Sequence, residues 1–399
     1  MRILLVNKYY YPRGGDCIYT LNLESLLKKH GHEVAIFSMD YPRNIDTPWK
    51  KYFPSEVRFR PSIKLFDSVM RPFGTKEVAS KYNAILDDFR PDVVHLNNIH
   101  SQLSPLVAEL AHQKGIKVIW TLHDYKLLCP RYDCMRNDGN TCNDCFSNLS
   151  IPEKTRKKNV LKHKCMKNSL FASYLAYQEA IKWNRELLEK WTDAYICPSH
   201  FMAMKMKEGG FKAEKLHVHT NFIDIDKCDN NVFSKEDYYC YVGRISKEKG
   251  IKTLIEAANQ LPYKLYVIGK GPLFQEIKAI SKDHIEFLGQ LDWDELKTIE
   301  QKAKFSIIAS EALENNPLSV IESKCLGTPV LGARIGGIPE LIDEGINGMT
   351  FESGNIQDLV SKIKIMMHQQ FDYKQISENA KVVYNDQEYY HFLMNLYNN

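Results

Sequence analysis

Glu314 and Glu322 stand eight positions apart in SEALENNPLSVIESKCLGTPVLG, residues 310–332. The stretch reads as the end of a strand (FSIIAS), a loop (EALENNP) and a helix (LSVIESKCLG), with Pro317 near the first turn and Gly327 at the stop. A helix start offers unpaired backbone N–H groups and a partial positive charge, a ready seat for an anion. Glu314 precedes the helix and Glu322 lies more than one turn inside it, so neither is placed as an ordinary cap. Two acids flanking a phosphate seat can each grip a polyol. A nucleotide-sugar fits, with sugar hydroxyls on one side of the pyrophosphate and ribose hydroxyls on the other.

Other chemistry-bearing residues follow apolar runs in the same way. Arg244 and Lys249 come after YYCYVGR in an R-x4-K spacing, and Gly269 and Gly271 flank Lys270 after KLYVIG. Glycines there permit close backbone approach to a ligand or a tight strand-to-helix turn. In the first half, Gly14 and Gly15 follow the first apolar run within YYYPRGGD, and Asp16 reads as a cap of the next helix. The pair is not G-x-G-x-x-G, so a dinucleotide fingerprint is not indicated. WTLHDYKLLCP places His123 and Asp124 after a strand, and HLNNIHS supplies His95, Asn97, Asn98 and His100 as acceptor-binding or helix-capping groups.

These positions are useful only if strands present them. RILLVN, EVAIFS, DVVHLN, KVIWTLH and AYICPS read as buried strands alternating with helices such as CIYTLNLESLLKKHG. The alternation restarts near Tyr238 with YYCYVGR, KLYVIG, IEFLG, FSIIAS, TPVLGA and GMTFE. Strand–helix alternation predicts doubly wound parallel sheets, whose ligands sit beyond the carboxyl ends of the strands. The polar stretch at 219–237 reads as a linker, and 399 residues exceed what one core usually serves. The fold class expected is α/β, with two Rossmann-like domains facing across a cleft. Composition is that of a globular protein, 44% hydrophobic and 26% charged, with net charge +4. The charge is uneven: residues 1–200 carry about +9 and the remainder about −5. No apolar run approaches the ~18 residues of a membrane span. MRILLVNKYYYP reads as a first strand rather than a signal peptide, so a cytoplasmic location and reduced cysteines are expected.

The E-x7-E pattern, with GTPV, GGIPEL and EGINGMTF following in order, closely resembles the C-terminal domain of retaining glycosyltransferases of the GT-B class, glycosyltransferase family 4. The resemblance extends over nearly the whole chain. It implies that Glu314 contacts donor-sugar hydroxyls and Glu322 the ribose, with backbone around Asn315, Asn316, Pro317 and Leu318 holding the diphosphate. Pro317 itself has no N–H to give. Arg244 and Lys249 resemble the family's pair that neutralises the departing diphosphate. Cations fixed there would each supply ~2–4 kcal/mol of transition-state stabilisation. His123 matches a histidine near the donor sugar, Gly14 and Gly15 match a glycine pair whose loop approaches the donor phosphate or the acceptor, and Gly269 and Gly271 match a loop near the donor's base. Asn98 and His100 are the acceptor candidates. The implied boundaries are 1–222 for an acceptor-side domain, 223–382 for a donor domain and 383–399 for a helix returning to the first. The family's NGID junction reads NFID here, Asn221–Asp224.

A cysteine-bearing basic insertion, 126–167, interrupts the first domain. CNDC is a C-x2-C pair, and Cys129, Cys142, Cys145 and Cys165, with Cys134 as a substitute, form the expected ligand set of a structural zinc. Unpaired thiols and disulfides are the alternatives. The adjoining EKTRKKNVLKHKCMK would meet anionic lipid headgroups or a lipid-diphosphate, or be solvated. SLFASYLAYQEAIKWNRELLEKW reads as one aromatic-rich helix.

The resulting expectation is a retaining glycosyltransferase moving a sugar from a UDP- or GDP-linked donor to a glycan or lipid-linked acceptor. Its setting would be cell-surface polysaccharide or lipopolysaccharide assembly, peripheral to the inner membrane. No D-x-D pair stands out, so no catalytic divalent metal is expected, and no nucleic-acid partner. The alternatives are a same-fold nucleotide-sugar epimerase and a non-catalytic glycan-binding or scaffold protein.

Overall fold

The computed structural model describes residues 1–57, 65–229 and 232–399; Asn230 and Asn231 of the expected linker lie outside them. Two compact units emerge: Met1–Thr220 with Tyr390–Asn399, and Asn221–Tyr389. Each is built on a six-stranded, all-parallel sheet. The strands read as continuous apolar runs because helices cover both faces of such sheets.

In the first unit the strands are β1 (Arg2–Val6), β2 (Glu33–Phe37), β3 (Val93–Leu96), β4 (Lys117–Thr121), β5 (Ala194–Cys197) and β6 (Leu216–Val218), in the order β2-β1-β3-β4-β5-β6. Winding therefore reverses between β1 and β3, and the loops after those strands meet where such sheets bind ligands. The helix Gly15–Lys29 leaves the first of them and ends at Gly31, whose φ of +77° allows the stop. Residues near the C-terminus complete this unit. Tyr397 Oη lies 2.5 Å from His95 Nδ1 on β3, and the Tyr397 carbonyl accepts from Lys117 Nζ at 3.3 Å.

The second unit holds β7 (Tyr238–Val242), β8 (Lys264–Ile268), β9 (Ile285–Gly289), β10 (Ser306–Ile308), β11 (Val330–Ala333) and β12 (Gly348–Phe351), in the order β12-β11-β10-β7-β8-β9. Its reversal lies between β7 and β10, paired through Ser306 with Cys240 and Ile307 with Tyr241. Phe222 of the NFID stretch is buried and stacks on Tyr389, centroids 4.4 Å apart. The ring that replaces the expected glycine is thus a core anchor of this unit.

Three local expectations are corrected. The aromatic-rich segment is two helices, Leu170–Lys182 and Arg185–Trp191, because Asn184 turns out of the first and caps the second by accepting from Leu187 N at 3.1 Å. Asp16 does not cap its helix. Gly14 occupies the cap position without a side-chain bond, and Asp16 sits in the first turn, 3.7 Å from Lys8 Nζ.

The third correction concerns zinc. Among the described residues no group of three or more His, Cys, Asp or Glu side chains is arranged to hold a metal ion, so Cys129, Cys142, Cys145 and Cys165 do not form the expected ligand set. The thiols have other partners. Cys129 and Cys134 hydrogen-bond to each other, which lowers the Cys129 pKa, and Cys142 bonds to Arg136. The insertion is held instead by polar contacts and one small core. Asp144 accepts from Arg136 at 2.8 Å and lies 3.0 Å from His163, Lys126 pairs with Glu179 at 2.8 Å, and Val160, Cys165, Ala176 and Tyr177 pack together.

Candidate functional site

In the second unit the loops after β7 and β10 are stitched together by backbone. Glu311 N and Ala312 N donate to the Glu248 carbonyl at 3.0 and 3.2 Å. This brings Lys249 Nζ to 2.5 Å from Glu314 Oε1, although 65 residues separate them in the chain. Ser310 Oγ donates to the same carboxylate oxygen at 2.7 Å. Both members of the ion pair keep partial solvent access, 32% and 17% of their side chains. Arg244 is exposed at the start of the β7 loop, and its carbonyl accepts from Tyr241 Oη at 2.9 Å.

Glycines let these loops approach one another. A Cβ on Gly269 would lie 1.9 Å from the Gly243 carbonyl oxygen, and one on Gly271 would lie 2.1 Å from that of Ile245. Both glycines let their loop pack closely against the Arg244 segment. Gly336, not singled out by sequence, does the same for the acid. Its φ is +61°, a Cβ there would meet the Glu314 carbonyl oxygen at 2.1 Å, and the next residue's N–H donates to that oxygen at 2.8 Å.

Asn316 is buried, and its Oδ1 and carbonyl accept from Asn221 N and Nδ2 at 3.0 and 2.7 Å. This pins the segment Asn315–Pro317 in front of the helix Leu318–Cys325. Pro317 occupies the cap position and its side chain makes no capping bond. Its N-terminal end is therefore available to an anion.

Glu322 lies within that helix, half-buried at its surface yet enclosed enough that desolvation lifts its carboxyl to about 7. Beneath it lies an acid that sequence reasoning missed. Glu300 is fully buried and is pushed up to about 8, first by burial and then by Glu322, while Ser306 and Ser323 hydrogen-bond to it. Its segment, WDELKTIEQK, reads as an exposed helix, so no sequence signal marks it.

The first unit presents its own cluster at the β1/β3 reversal. Lys8 N donates to the Asn98 carbonyl at 2.9 Å, and Asn98 N donates to Asn7 Oδ1 at 3.1 Å. Asp124 gathers the rest: its oxygens accept from Asn98 Nδ2 at 3.3 Å and Lys126 N at 2.9 Å, with His100 Nε2 at 3.9 Å. Burial raises the Asp124 carboxyl pKa. His123 Nε2 lies 3.0 Å from Asn97 Oδ1, and burial lowers the ring to about 4, so it is a neutral hydrogen-bonding group at physiological pH. His95 does not join this cluster. It is fully buried between Tyr397 and Thr121 Oγ1 and is a core residue. Gly14 is extended at the helix start, and nothing crowds the Cβ position of Gly15.

The description Glycosyltransferase Family 4 matches residues 13–227, and Glycosyl transferases group 1 matches 222–383. An uncharacterized glycosyltransferase of Methanocaldococcus jannaschii is 29% identical over 48% of this chain, which spans 54% of that relative's length. An uncharacterized protein of the cps region of Klebsiella pneumoniae is 25% identical over 86% of this chain and 87% of its own. Among solved structures, Anabaena Alr3699/HepE in complex with UDP and glucose superposes with a TM-score of 0.67 at 17% identity, covering 99% of this chain and all of that one. That similarity establishes the GT-B fold of two Rossmann-like domains. With two family descriptions tiling the chain from residue 13 to 383, and the paired acids and cations at the strand ends where they fall, the protein belongs to glycosyltransferase family 4.

Proposed function

We propose that the protein transfers a sugar, with retention of anomeric configuration, from a nucleoside-diphosphate donor to a glycan or lipid-linked acceptor. The observation that carries this reading is the Lys249–Glu314 pair at 2.5 Å, beside a helix start whose cap residue, Pro317, makes no side-chain capping bond. The diphosphate lies at that helix start with Arg244 and Lys249 on its oxygens, Glu314 on the sugar and Glu322 on the ribose. As the bond to the bridging oxygen breaks, negative charge grows on the leaving group and the two cations stabilise it. Retention follows if the acceptor attacks from the leaving-group face, its proton passing to the departing phosphate, so no side chain acts as nucleophile. His123, neutral, orients a sugar hydroxyl, and Asn98 and His100 face the acceptor. A UDP-linked sugar is the first donor to test, since the Anabaena neighbour was solved with UDP and glucose. The Klebsiella relative, from a cps region, supports a place in surface polysaccharide assembly.

A panel of nucleotide-sugars, assayed with and without glycan and lipid-linked acceptors, tests the proposal by free nucleoside diphosphate and product anomer. Acceptor-dependent release with a retained anomer supports it. Conversion of the donor sugar without an acceptor would indicate an epimerase, and binding of glycan without release a scaffold. Either would overturn it.

A further inference from the structure

The segment 154–178 carries seven Lys and Arg residues and not one acid. Arg156 and Lys157 are buried and spend their donors on backbone carbonyls: Arg156 on that of Phe146, Lys157 on that of Leu128. The other five, including Lys162, Lys164 and Lys167, are exposed. Directly after them the helix Leu170–Lys182 turns Ser173, Ala176 and Tyr177 inward, the last two packing on Val160 and Cys165. On the side adjoining these buried residues, its N-terminal end carries Leu170, Phe171 and Tyr174, exposed by 59%, 68% and 48%. Their spacing of three and four residues places them on one side of the first turn. Large exposed apolar side chains that directly follow exposed lysines in the chain are the composition of an interfacial membrane contact.

We propose that this knuckle docks the protein on an anionic lipid bilayer, with Leu170, Phe171 and Tyr174 entering the headgroup boundary and Lys162, Lys164 and Lys167 meeting lipid phosphates. Charge decides the occupant. A second copy would bring two acid-free, multiply positive segments together, and like charges oppose that contact. A polyanion such as RNA would satisfy the lysines but gives an exposed aliphatic Leu170 nothing to bury against. A phosphatidylglycerol-rich surface satisfies both. The inference extends the lipid-linked branch of the function proposed above. Vesicle binding needs neither donor nor turnover, however, so either can fail without the other.

The test is co-sedimentation of the full chain with vesicles of phosphatidylcholine alone or of phosphatidylcholine with a third phosphatidylglycerol, at low and high salt. The wild type is expected to sediment with the anionic vesicles only, and less at high salt. Combined Lys162→Glu, Lys164→Glu and Lys167→Glu should reduce partitioning by about tenfold or more. Combined Phe171→Ser and Tyr174→Ser should reduce it as well, with melting curves unchanged because all five side chains are exposed. In a Phe171→Trp variant, tryptophan emission should shift to the blue with anionic vesicles. Failure of the wild type to bind, equal binding to neutral vesicles, undiminished binding by both combined variants, or binding to RNA in place of vesicles would each overturn the proposal.

Discussion

Replacing Lys249 separates its proposed role in catalysis from its role in the fold. Its ammonium is about one-third exposed and 2.5 Å from a Glu314 carboxylate that is itself partly exposed. Solvent screens such a pair, so its loss should cost no more than ~1 kcal/mol of stability. The same ammonium aimed at a departing diphosphate is worth ~2–4 kcal/mol in the transition state, or roughly 30- to 1,000-fold in rate. Lys249→Met should therefore fold and melt almost as wild type while losing that factor in transfer. Glu314→Gln keeps the Ser310 contact, removes the charge that holds Lys249, and should also lose turnover. Because the two groups touch, the double variant should be about as impaired as the worse single one, not as impaired as the product of both. Initial rates of nucleoside-diphosphate release with acceptor present, for all four proteins, supply the cycle. Single variants within threefold of wild type, or losses that multiply in the double variant, would refute the reasoning.

Two further outcomes follow from buried groups. Glu300 and Glu322 hold protons more tightly folded, at about 8 and 7, than in an unfolded chain near the ordinary carboxylate value. The native state therefore binds more protons across that window, and their contribution to stability falls as pH rises from about 4.5 to about 8. Glu300→Gln should match wild type in melting temperature at pH 5 and exceed it at pH 8; a constant difference at both pH values would contradict the assignment. Phe222→Ala, which empties the stack on Tyr389, should cost about 3–5 kcal/mol and lower the melting transition by roughly 10 °C. Unchanged melting would show that the ring is not the anchor described.

Eleven of the twelve strands among the described residues were legible because strands covered on both faces are nearly all apolar, as RILLV and KVIWT are. The strand β6 was missed: it is Leu-His-Val, at the sheet edge and only half-buried. The break at Asn184 was missed because neither glycine nor proline marks it, only an asparagine whose capping role needs the chain already turned. At the candidate site, the residue types at the strand ends were readable, but their partners were not. Lys249 meets Glu314 because β7 lies beside β10, a fact of sheet order. Glu300 looks like a surface residue of a polar helix until Ser306 and Ser323 close over it. Cysteine spacing misled in the opposite direction. A C-x2-C pair limits how far apart two thiols can be, but it does not bring two more to the same point, and here Cys129 bonds with Cys134 instead.

The central claim is that the start of the helix Leu318–Cys325 receives the donor's diphosphate. A crystal structure of the protein with bound UDP or GDP tests it most directly. The account predicts phosphate oxygens within hydrogen-bond distance of the backbone at Leu318 and of the Arg244 and Lys249 side chains, with the ribose hydroxyls on Glu322. A nucleotide seated elsewhere, with Lys249 still paired to Glu314 and Glu322 touching no hydroxyl, would contradict it.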